Sequence, residues 1–203
     1  FYTAKPQNLV AMTHVLPAYA ELHCRSNFSF GVGASHPEEL VARAHALGYS
    51  ALAITDACSV SGMVRAHTEA KKCGLTLLPG AEFELPLAAF GNAAESQHRP
   101  CTSSGFGDHS DKQSGRVTMV ALAHDLVGWG DLCEFITQAR RSAPKGQYQV
   151  CWDDAAWGKL RRCELLLVCD GAIGREAIEL ALTSTSGFFG AHLWLAVELR
   201  LGL

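Results

Sequence analysis

A chain of 203 residues, 48% hydrophobic and 18% charged, has the balance of one globular domain with its own core. The formal net charge is −3, and the basic residues are scattered, densest at Arg140, Arg141 and Lys145 and at Arg161 and Arg162; this argues against a domain that grips phosphate backbones by itself. No apolar run approaches the roughly 20 residues that cross a bilayer, and no basic stretch leads into an apolar signal segment, so a cytoplasmic protein without membrane contact is expected.

In chain order, Ala18 to Cys24 alternates loosely and reads as a strand, followed by the turn-rich SNFSFGVGAS. Ser35-His36-Pro37-Glu38 supplies an N-cap, an early proline and a capping-box glutamate three residues on, predicting a helix over Pro37 to Leu47. Leu40, Ala44 and Leu47 form its inward face and Gly48 ends it. Ala51 to Thr55 is a short apolar run of the kind found in buried parallel strands, and a helix from Gly62 to Cys73 follows with Met63, Ala66, Ala70 and Cys73 on one face. LTLLPGAEFEL is the next strand and carries Glu82. Strand, loop and helix repeating in this order point to an α/β architecture with parallel strands.

From about residue 86 to 115 the composition turns to Ser, Gly and polar residues without periodicity, which reads as a mobile surface insertion. The rhythm then resumes: a strand over Arg116 to Ala123, and a helix over Trp129 to Ala143 with Leu132, Phe135, Ile136 and Ala139 inward. A helix near Asp153 to Lys159, a strand over Glu164 to Val168, a helix over Arg175 to Thr183 and a strand over His192 to Leu199 complete the series. The expected organisation is an N-terminal extension, 1–16, ahead of one domain over 17–203. The chain opens on Phe1, Met12 offers a more sensible start, and the last residues LAVELRLGL stop in mid-element, so the domain is expected to be an incomplete part of a longer protein.

The eight cysteines contain no C-x-x-C pair, which suits reduced core thiols better than a disulfide framework or a zinc knuckle. There is no G-x-G-x-x-G, P-loop, G-x-S-x-G or heptad run. One stretch, ELHCRSNFSF, carries a chemical oddity. Alternate side chains of a strand point the same way, so a pair of histidines spaced by one residue aims two imidazoles at one metal. Arg25 stands where the second would be, and a permanent cation there repels a divalent ion.

ELHCRSNFSF, GASHPEELVARAHALGYSALAITD, LLPGAEFEL, VALAHDLVGWGDLCEFITQAR, PKGQY and WLAVEL together resemble the N-terminal polymerase and histidinol phosphatase domain of bacterial alpha-type (C-family) DNA polymerases. Within that group the wording is most similar to the error-prone members used in damage-induced mutagenesis. The resemblance implies a distorted (β/α) barrel, here cut short at its C-terminal end, whose active members hold up to three metals in a ring of His, Asp and Glu and hydrolyse phosphoesters. Laid on this chain, the ring keeps His23 and Glu82, with Glu198 a further candidate; Arg25, Val32, Ala57 and Thr118 occupy positions where ligands are expected.

A metal site so depleted reads as vestigial, leaving no catalytic or cofactor-binding residue in this segment and a metal-free scaffold as the expected role. Arg25 is then expected to pair with Glu82 across the barrel mouth. The resemblance further implies a parent that extends primers on DNA with deoxynucleotides, using Mg2+ on aspartates outside this segment. Its partners would be the remainder of the polymerase chain and other mutagenesis or replication proteins. The alternative, a metal-dependent phosphoesterase or 3'-5' proofreading exonuclease, would need Zn2+ or Mn2+. His36, His45, His67, His98 and His109 suit solvated or packing roles, Asp56 suits either catalysis or a cap on the following turn, and the spacing of Asp108, His109 and Asp111 in a Ser/Gly-rich loop suits coincidence.

Overall fold

The computed structural model describes residues 18–86, 102–104, 116–150, 157–169 and 175–197. Its elements are β1 (Ala20–Glu21), α1 (Pro37–Ala46), β2 (Ala51–Ala57), α2 (Met63–Cys73), β3 (Thr76–Pro86), β4 (Thr102–Ser104), β5 (Arg116–Ala123), α3 (Leu126–Arg141), β6 (Gln147–Gln149), β7 (Cys163–Cys169), α4 (Arg175–Phe189) and β8 (Leu193–Val197). Short 3-10 turns cover Gly158–Arg162 and Gly190–His192.

Six strands form one sheet in the order β1-β2-β3-β5-β7-β8, curled into a half-barrel, and β4 pairs with β6 in a separate ribbon. The sheet is mixed. β1, β2 and β3 run parallel, as do β7 and β8, but β5 is antiparallel to both β3 and β7. The all-parallel expectation therefore fails at the centre; a single helical crossover makes neighbours parallel, and the connection from β5 to β7 holds more than one helix. β3 reaches β5 through the long polar segment that contains β4, and β5 reaches β7 through α3, then β6, then a 3-10 turn.

Alternation sorts β3 cleanly. Ala81, Phe83 and Leu85 face outward and are buried in the main core with Met119, Leu165, Leu167, Leu132, Phe135 and Trp157. Phe83, Phe135 and Trp157 meet edge-on or tilted at centroid distances of 4.9–6.0 Å, a geometry worth about 0.5–1.5 kcal/mol per pair beyond area burial. A second core joins α1 and α2 to Leu52 and Ile54 of β2. The opposite, inward face holds Ala53, Val120, Leu122, Leu166 and Val168.

Several boundaries move. The α1 cap is His36 rather than Ser35, with Pro37 at the first helical position and His36 N–H donating to Glu39 Oε2 at 2.9 Å. Val41 joins Ala44 in the core, whereas Leu47, at the helix end, is exposed. α3 begins three residues earlier than expected because Asp125 caps it, accepting from Gly128 N at 2.8 Å. Only Ala20–Glu21 of the first predicted strand lies in the ladder, although Tyr19 O and Cys24 O still accept from Ser50 N and Thr55 N at its ends. Residues 158–162 form a 3-10 turn rather than the end of an α-helix, while 153–156 lie outside the described residues. The 1–16 extension and most of the 86–115 insertion also lie outside them; Thr102–Ser104 within it forms a strand.

Candidate functional site

The C-terminal end of β2 lies beside Glu82 of β3, and in strand-and-helix barrels the C-terminal ends of the strands carry the chemistry. Register places Ala57 beside Glu82 on one side and Val120 on the other. Glu82 therefore points into the half-barrel, and its side chain is only 4% exposed. The segment after β1 brings two groups to it. His23 Nε2 lies 2.6 Å from Glu82 Oε2, and Arg25 Nε donates to that same oxygen at 2.6 Å.

The pair expected between Arg25 and Glu82 is thus formed across 57 residues of sequence. A buried carboxylate without a cation or donor is costly, and breaking such a pair by removing one partner costs about 3–5 kcal/mol. His23 is braced in turn by its own N–H donating to Glu21 Oε1 at 3.0 Å.

The other ring positions are placed as follows. Ala57 lies next to Glu82 but offers no ligand atom. Thr118 faces Glu84, one inward step from Val120. Val32 is on the exposed loop between β1 and α1. Glu198 lies outside the described residues. Among the described residues no three His, Cys, Asp or Glu side chains gather as a metal ion requires. Two ligand types meet here, and the third member of the group is a cation; these residues do not fit a bound metal. Cys24 adds no thiolate, since burial, helped by the fields of Glu21 and Asp56, pushes its thiol up to about 11.

The Asp56 carboxylate does not cap the turn that follows it but turns to the loop after β1. Fully buried, it accepts from Ser26 N, Ser26 Oγ and Ser29 Oγ, each at 2.7 Å, and so clamps the loop that precedes it by some thirty residues. Ser29 Oγ relays onward by accepting from Ala57 N at 3.0 Å. The loop closes on itself so tightly at Gly33 that any Cβ there would overlap the Ser26 carbonyl.

Arg140 carries no sequence signal and proves central. From α3 it donates to Ala57 O at 3.0 Å and Cys58 O at 3.1 Å, and its guanidinium lies 5.4 Å from the Tyr148 ring centroid. The Tyr148 hydroxyl accepts from Glu84 N at 3.1 Å. These contacts hold Cys58 at φ +44°, a left-handed conformation uncommon outside glycine, while Cys58 N donates to Glu82 O at 2.8 Å. The end of β2 is thereby fixed from behind, in register with Glu82.

A second polar cluster sits near the start of β7. Glu164 accepts from Trp194 Nε1 at 2.7 Å and pairs with His192 Nδ1 at 2.9 Å. Burial works upward on this carboxyl, but the two hydrogen bonds outweigh it and hold it below the usual range. This cluster fastens β8 and its preceding turn to the sheet.

The PHP domain model matches residues 21–191. The error-prone DNA polymerase of Ralstonia nicotianae is 50% identical over 141 residues, covering 70% of this chain and 11% of that protein. The error-prone DNA polymerase of Azoarcus sp. is 41% identical over 196 residues, covering 92% of this chain and 17% of that one. The chain thus spans less than a fifth of the length of these relatives, whose matching regions are parts of larger polymerase chains. A solved amidohydrolase from Chromobacterium violaceum, 15% identical, superimposes with a TM-score of 0.59 over 88% of this chain and 76% of that one, a likeness of fold. No helix among the described residues is long and apolar enough to cross a membrane. A curled mixed sheet, an inward glutamate held by a histidine and an arginine at one strand end, and a family match over nearly all of the described residues converge: the chain belongs to the PHP domain family.

Proposed function

We propose that this chain is the N-terminal PHP domain of an error-prone DNA-directed DNA polymerase and that it serves there as a metal-free structural scaffold. The observation that carries the scaffold reading is Arg25 Nε at 2.6 Å from Glu82 Oε2, a fixed cation at the carboxylate a metal would need. The similarity to polymerases that are about five to six times longer supports the parentage. The parent adds deoxynucleotides to a primer end on DNA during repair and damage tolerance, with Mg2+ on aspartates of its polymerase module. Its partners are the rest of the polymerase chain, DNA, deoxynucleotides and other mutagenesis or replication proteins, in the cytoplasm.

Two measurements test the two halves. Metal analysis of the purified chain after growth with added zinc and manganese should find no stoichiometric metal; one bound metal per chain together with phosphoesterase or 3'-5' exonuclease activity would overturn the scaffold role. Sequencing the gene past codon 203 should show an open frame with C-family polymerase motifs; a stop codon there would overturn the parentage.

A further inference from the structure

We draw no further inference here: the strongest candidate, the apolar surface patch of Trp194, Leu195 and Val197 on β8 at the edge of the six-stranded sheet, is an unpartnered strand among the described residues, and nothing in the structure shows what covers it.

Discussion

Removing the Asp56 carboxylate provides the sharpest test of how this mouth is built. Asp56→Ala deletes three 2.7 Å hydrogen bonds at a residue with no solvent exposure, leaving the Ser26 N–H and the Ser26 and Ser29 hydroxyls without their acceptor. A hydrogen bond to a charged group contributes about 1.5–3 kcal/mol, and an orphaned buried donor costs about 1–3 kcal/mol. The two hydroxyls can rotate toward other acceptors, but the backbone N–H cannot, so the net loss should be about 3–5 kcal/mol. Asp56→Asn is the informative partner: it keeps one acceptor oxygen for the Ser26 N–H and loses only the charge and one bond, so about 1.5–2.5 kcal/mol is expected. Against a total stability of about 5–15 kcal/mol these losses are large. Urea unfolding followed by tryptophan fluorescence reads them. With a slope of about 2 kcal/mol/M, the alanine midpoint should fall by roughly 2 M and the asparagine midpoint by about half as much. Equal midpoints for the two variants, or an alanine variant within about 1 kcal/mol of the parent, would refute the claim that this carboxylate clamps the loop.

Arg140→Lys should lower stability almost as much as Arg140→Met, by about 1.5–3 kcal/mol, because a point charge cannot span the Ala57 and Cys58 carbonyls while stacking on Tyr148; thermal melts of both variants check this. The Glu164 cluster sets an acid limit. Its carboxyl is depressed in the folded chain, so its contribution is present above the ordinary value of 4.5 and is lost as pH falls through the lower folded value. Emission near Trp194 should change with unfolding in that acid range, and Glu164→Gln should flatten the change. Burial pushes the Cys58 and Cys163 thiols up to about 12, so at pH 8 both should resist iodoacetamide in the native chain and react only after denaturation, with peptide mapping as the readout.

The periodicity of particular residues made much of the fold legible. Met63, Ala66 and Ala70 lie on the buried face of α2, and Leu132, Phe135, Ile136 and Ala139 on that of α3, as their spacing required. His23, Arg25 and Glu82 could be nominated for one site because the motifs around them resemble a known family, and alternation along a strand then fixed which way Glu82 points. Arg140 left no such mark. It is one of several basic residues on a helix, and only the docking of α3 against the end of β2 gives it two carbonyls to hold. Asp56 was visible as a polar residue at a strand end, but its partners come from a loop some thirty residues earlier.

The sequence by itself determined the local matters: which segments coil or extend, which face of each is apolar, and that a cation stands where a second histidine would. Those follow from steric preference and from the periods of helix and strand, which are properties of neighbouring residues. Tertiary structure alone decided the reversed direction of β5, the left-handed turn at Cys58 and the closing of the Ser26–Ser29 loop onto Asp56. Each depends on how distant segments close on one another, and the chain reveals that only when its hydrophobic faces have been buried together.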